Sequence, residues 1–146
     1  MKYSLANYIL TIKSNNTNAQ AVFGNDISIG GEGSYVGSIT FSRQTEMWST
    51  SGFATGGWIH NKNLDRHGTV TIEISQLAPQ VGRFIQLCNV YYASDYEGFT
   101  LTLTDSEQNQ IVECIDCYIT TIPNQSFAES VGTQSWTFTC GQINYK

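Results

Sequence analysis

A chain of 146 residues with a net charge of −5 is long enough for one domain with a substantial core, and its seven scattered Lys and Arg exclude a basic nucleic-acid footprint. Only 13% of residues are charged, against about 25% in ordinary soluble domains, so Ser, Thr, Asn, Gln and Gly must cover the surface; weak self-repulsion then favours association with copies or with a large partner. No apolar run reaches the ~18 residues of a membrane helix, and the leader-like Met1–Lys13 is broken by Asn7 and Thr11 with no small-residue cleavage site after it, so a cytoplasmic product without a membrane partner is expected.

In chain order, Tyr8, Leu10 and Ile12 alternate with other residues and predict a first strand over Asn7 to Ile12. The polar turn Ser14 to Asn18 leads to a second extended piece, Ala21 to Ile29. Eight of the 13 glycines then fall between Gly24 and Gly57, interrupted by a short strand, Gly37 to Ser42. The stretch Arg43 to Arg66 has no helical or strand period, yet carries Met47, Trp48, Phe53, Trp58 and Ile59. Loops of this length are usually functional or disordered, and disorder does not explain so many large apolar groups. The expectation is a glycine-jointed arm that offers these five residues to a partner; the alternative is that it folds back on its own domain.

From Thr69 to Thr139 four segments alternate Thr or Ser with bulky apolar residues: Thr69–Ser75, Phe99–Thr104, Tyr118–Ile122 and Ser135–Thr139. Strand side chains alternate between faces, so a sheet of these segments has one oily face and one face of short hydroxyls. Between the first two, Leu77, Val81, Phe84, Ile85, Cys88 and Tyr92 form one stripe of an amphipathic helix over about 77–92, with Pro79 in its first turn. Asp105 to Asn109 makes a hairpin loop into a long strand, Gln110 to Ile122, and the last strand is placed at Gln134 to Cys140. The fold class is mainly β: an antiparallel β-sandwich or barrel with one α-helix and a long glycine-rich arm, all in a single domain over 1–146.

Chemistry-bearing groups are few. His60 and His67 flank the Asn61 to Arg66 loop; Asp65 could pair with His67, but no nucleophile elbow accompanies them, and both are expected in solvent. Gly30-Gly-Glu-Gly33 lacks a following helix and lysine and reads as a turn. Glu113 and Asp116 are expected on opposite strand faces, out of reach of a shared substrate. Cys114 and Cys117, three apart on a strand, are likewise expected to face opposite ways; with Cys88 and Cys140 they read as reduced, mostly buried hydrophobes, without a metal. No catalytic residue and no cofactor is assigned. Trp136, alternating with Phe138, belongs to the core. Trp48 and Trp58 admit a rival reading, an aromatic platform of a carbohydrate-binding β-sandwich module.

The segment Ala54-Thr-Gly-Gly-Trp58, followed by Lys62-Asn-Leu-Asp-Arg-His-Gly-Thr-Val-Thr-Ile-Glu-Ile-Ser-Gln-Leu-Ala-Pro79, resembles contractile-tail phage structural proteins. There a glycine-rich turn leads through a basic loop into a Gly-Thr-Val-Thr strand and a helix. The order of elements also resembles phage tail tube proteins and their relatives in bacteriocins and secretion-system tubes. The resemblance implies a structural virion protein of the tail, made in the host bacterial cytoplasm, in stacked and hexameric homo-oligomeric rings through which DNA passes without tight binding. It implies sheath, baseplate or initiator, and tape-measure proteins as partners. Met47, Trp48, Phe53, Trp58 and Ile59 would then be inter-ring or inter-subunit contacts, and Thr69, Thr71, Glu73, Thr100, Thr102, Thr104, Thr137 and Thr139 would face the lumen. From Thr69 onward eight acids face only Arg83 and Lys146, which suggests an acidic bore. A tube subunit of a DNA-free contractile injection device or bacteriocin is the alternative within the same class.

Overall fold

Alternation of Thr with large apolar residues produces strands whose oily sides must be buried together. In the computed structural model, which describes residues 3–13, 26–93 and 97–146, β1 (Ile9–Lys13), β2 (Ile27–Gly30), β3 (Val36–Arg43), β6 (Gly68–Ser75), β7 (Phe99–Thr104), β8 (Gln110–Thr121) and β9 (Thr133–Tyr145) form one sheet. Its order is β2-β1-β7-β8-β9-β6-β3, and every neighbouring pair is antiparallel. The sheet curls into a half-barrel. Two further strands, β4 (Trp48–Gly52) and β5 (Trp58–Lys62), pair only with each other, and helix α1 (Pro79–Ala93) bridges β6 and β7. The mainly β expectation with one helix holds. The expected turn at Ser14 to Asn18 and the Ala21–Asn25 part of the second extended piece lie outside the described residues.

The core sits between α1 and one face of the sheet. Leu10, Ile12, Ile27, Ile29, Val70, Ile72, Leu101 and Trp136 are fully buried, each such side chain contributing about 1.5–3 kcal/mol of transfer free energy. Phe84 brings α1 down onto the sheet, its ring 5.2 Å from Trp136 and 5.8 Å edge-on to Phe138. Trp136 is core, as its strand period requires. Its indole N–H donates to Gln134 Oε1 at 3.2 Å, and the Gln134 amide donates to Gln125 Oε1 at 3.0 Å, so the polar groups nearest the core are satisfied.

The helix stripe differs at its ends. Val81, Phe84, Leu87 and Cys88 are buried, whereas Leu77 precedes the helix and Tyr92 is 80% exposed. Tyr91 turns inward instead, edge-on to Phe99 at 6.2 Å. The last strand runs five residues beyond its expected end, to Tyr145.

The largest departure lies in β8. Its register against β7 slips between Phe99 and Leu101, with Asp116 in the left-handed region at φ 57°. This is a bulge, and aspartate is among the few non-glycine residues that tolerate that conformation. Gly98 lies against Asp116 with no room for a Cβ, so the bulge depends on that glycine. The extra residue reverses the alternation: Val112 and Cys114 are buried before it, Cys117 after it. Cys114 and Cys117 therefore point the same way, into the core, contrary to the expectation from a regular strand. Glu113 and Asp116 both fall on the side away from the core for the same reason. Strand β9 changes sides at the same level, its buried set passing from Trp136, Phe138 and Cys140 to Ile143.

Candidate functional site

Two surfaces and one buried cluster are built by this fold. The first surface is the face of the sheet away from α1. On β6, Thr69, Thr71 and Glu73 alternate with buried Val70, Ile72 and Ile74; on β7, Thr100, Thr102 and Thr104 alternate with buried Phe99, Leu101 and Leu103; on β9, Thr137 and Thr139 flank buried Phe138. Directly opposed residues of an antiparallel pair share a face. Thr69 opposes Thr139, Thr71 opposes Thr137 and Glu73 opposes Ser135. All eight residues expected to face a lumen thus stand on one face of one sheet.

Residues missed from the sequence extend it. Ser38, Thr40 and Ser42 of β3 oppose Glu73, Thr71 and Thr69, while Thr11 of β1 opposes Thr102. Thr120 hydrogen-bonds Thr139 at 2.7 Å. The alternation in Ser38-Ile-Thr-Phe-Ser42 carried this signal. The hydroxyl surface is not continuous, however, because β8 runs between its two halves and places Glu113 and Ile115 there. Nor is the face crowded with acids. Glu113 is paired with Lys146 at 3.2 Å, and Lys13 stands opposite Thr100, leaving Glu73 and Asp116 as the remaining acids. Asp105 and Glu107 sit in the turn between β7 and β8, so part of the charge asymmetry belongs to loops.

The second surface is the arm. It has strand structure after all: β4 and β5 form a hairpin with every residue exposed, closed by Phe53 to Gly57, with Gly56 at φ 94°. Phe53 N–H donates to Gly57 O and Gly56 N–H to Phe53 O, both at 2.9 Å. Trp48 opposes Lys62, Thr50 opposes His60 and Gly52 opposes Trp58, so both tryptophans share one face; Ile59 shares the other with Ser49, Ser51 and Asn61. Met47, Trp48, Phe53, Trp58 and Ile59 are each 52–67% exposed. The two tryptophan rings do not adjoin. Trp48 stands at the root beside the Lys62 ammonium, 5.8 Å from its ring centroid, and Trp58 stands at the tip.

The root of the arm is tied down. Asp65 accepts from Thr45 Oγ1 at 3.1 Å, from His67 N–H at 3.1 Å and from the His67 ring at 2.6 Å. The hydrogen bond from the His67 side chain is the main reason its carboxyl lies below the usual range. His67 and Asp65 are both exposed, and with Thr45 the pair braces the loop. Arg43 reaches the Ile143 carbonyl oxygen at 2.8 Å and lies over the Tyr145 ring at 5.0 Å, anchoring the start of the arm to the end of β9.

The buried cluster is Cys114, Cys117 and Cys140, all at most 1% exposed and all free thiols. Cys117 opposes Cys140 in the β8–β9 ladder, with 3.0 Å between their sulfurs. Hydrogen bonds from Cys117 and Cys140 pull the Cys114 thiol below its ordinary value; the contact with Cys114 pushes both Cys117 and Cys140 up. Cys88, on α1, is separately raised by burial. Among the described residues no group of His, Cys, Asp and Glu is arranged to hold a metal ion, and no helix is long and apolar enough to cross a membrane.

No curated protein matches the sequence. Among solved structures, the sheath/tube terminator of an extracellular contractile injection system (PVC) in the extended state shares 10% identity at a TM-score of 0.63, covering 100% of this chain and 97% of that one. A PVC sheath-tube complex gives 10% identity and a TM-score of 0.61, over 100% and 92%. The cap of the anti-feeding prophage gives 13% and 0.55, over 100% and 93%. At these identities the likeness is one of fold. The family model described as bacteriophage PhiTE tail tube protein matches residues 1–146, and the chain belongs to that family.

Proposed function

From the premise of tail tube membership, we propose that the protein is a non-enzymatic tube subunit that joins copies of itself into hexameric rings. The rings stack into a hollow tail tube whose bore is lined by the hydroxyl face. The observation that carries this reading is the convergence of Thr69, Thr71, Thr100, Thr102, Thr104, Thr137 and Thr139 on one face of a half-open curled sheet. A half-barrel leaves two edge strands, β2 and β3, and ring closure would satisfy the backbone groups an edge exposes.

Short hydroxyls with few charges suit a conduit. They stay hydrated, offer no cationic grip on phosphates and present little apolar surface to bind. DNA would slide over such a lining, and Glu73 would add weak repulsion. The arm is the stacking element: an isolated two-stranded hairpin is marginal in water, and Trp48, Trp58, Phe53, Met47 and Ile59 gain a reason for their exposure if the neighbouring ring covers them. Sheath, baseplate or initiator, and tape-measure proteins are the further partners of such a tube. The structures with similar folds, a sheath/tube terminator, a tube-terminating cap and a sheath-tube complex, support this company and equally suit a DNA-free injection device.

Deletion of Gln44 to Lys62 tests the arm. The shortened protein is expected to keep a cooperative melting transition and to form subunits or single rings that do not stack. Normal tubes from the deletion would remove the arm from assembly.

A further inference from the structure

We propose that Cys117 and Cys140 are a modification site: a cross-strand disulfide that forms inside the folded subunit under oxidising conditions. The two residues are direct partners in the β8–β9 ladder. Opposed residues of an antiparallel pair have Cα atoms about 4.5–5.5 Å apart, inside the ~4.4–6.8 Å span of a disulfide. Their sulfurs already stand 3.0 Å apart, so closing to a bond of about 2.05 Å takes a movement of about 1 Å and no rearrangement of strands. The bulge at Asp116 is what makes this possible, since a regular strand continued from buried Cys114 would have turned Cys117 outward.

The reaction balances with a peroxide as oxidant. Each thiol loses its hydrogen, the sulfurs join, and the peroxide takes up two electrons and two protons to leave as two molecules of water. Cys114 is a further free, buried thiol three residues before Cys117 on the same strand. The bond would close the loop from Cys117 to Cys140 and staple the two longest strands where both change sides.

The use of such a bond rests on the tail tube reading. A subunit assembles in a reducing cytoplasm, where thiols persist, and a released particle meets an oxidising exterior. The staple would be absent while subunits fold and present once the particle leaves the cell.

The test uses the full chain, reduced and then exposed to hydrogen peroxide in the folded state. Thiols are afterwards alkylated in denaturant, and the protein is weighed and mapped without reduction. Two alkylations in place of four, a loss of two hydrogens and a linked pair of peptides carrying Cys117 and Cys140 are expected, with the melting temperature raised by roughly 5–10 °C. Cys88→Ser should leave the linkage intact and Cys140→Ser should abolish it; the wild-type map decides even if the second variant fails to fold. Four alkylations after a treatment that oxidises the urea-unfolded chain would overturn the proposal, as would a linkage through Cys88 or between Cys114 and Cys117. None of these readouts needs ring formation, so a linked subunit that never assembles refutes the tube alone, and unlinked thiols in normal tubes refute the staple alone.

Discussion

Asp116 is the residue on which most of the local geometry turns. A β-branched replacement is costly in the left-handed region, so Asp116→Val is expected to lose about 1–2 kcal/mol in urea unfolding, while Asp116→Gly is expected to be tolerated. Equal stability of the two variants would mean that the bulge relaxes without cost. Trp136 is the opposite kind of residue, wholly buried against Phe84 on a regular part of its strand. Trp136→Ala is expected to lose about 3–5 kcal/mol. The difference between these two sites also marks where sequence reading works. Trp136 was legible because its alternation with Phe138 is uninterrupted. The facing of Cys114, Cys117, Glu113 and Asp116 was not, because a period of two assumes one residue per step and a bulge inserts another. Burial of all four cysteines was legible; that three of them share one site was not.

At the scale of elements, the strands that bury one face were readable and those that bury neither were not. β6 and β7 follow their sequence alternation closely, because one side of each meets the core. β4 and β5 show no such alternation, since both their faces meet solvent and hydrophobic period reports burial rather than pairing. The end of β9 was hidden similarly, Gly141 and Gln142 interrupting the pattern where the strand changes sides. The root of the hairpin has a pH signature. Asp65 is held below its ordinary value of 3.8, chiefly by the His67 side chain. A carboxyl with a depressed pKa contributes stability above its unfolded value and loses it as pH falls through the folded one. The arm root should therefore stay closed, as far as Asp65 is concerned, from neutral pH down to about 4 and loosen only below 3.8. Tryptophan fluorescence of the arm is the readout, and Asp65→Asn should remove the acid transition. Trp58→Ala, by contrast, touches no core residue. It should leave the melting curve within about 0.5 kcal/mol of wild type and reduce assembly; a large loss of subunit stability would place Trp58 in its own domain's packing.

At the scale of the whole molecule, one sheet does two jobs with its two faces. Its apolar side closes on α1, and its polar side, with eight residues anticipated from alternation alone, lies open. Composition signalled a surface rich in hydroxyls and poor in charge, and the fold placed those hydroxyls together. The charge count was a poorer guide, because acids in turns do not reach that face and Glu113, which does, is paired with Lys146. A lining of this kind predicts negligible affinity for double-stranded DNA even at low salt, and Glu73→Lys with Thr71→Lys should create salt-sensitive binding. The most direct test of the account is cryo-electron microscopy of the purified protein over a range of concentrations, at a resolution that shows side chains. Hollow tubes of stacked rings are expected, with Thr69, Thr71, Thr137 and Thr139 facing the bore and Trp48 and Trp58 covered between rings. A protein that stays monomeric at every concentration, or a tube with α1 toward the bore and the hairpin bare, would contradict it.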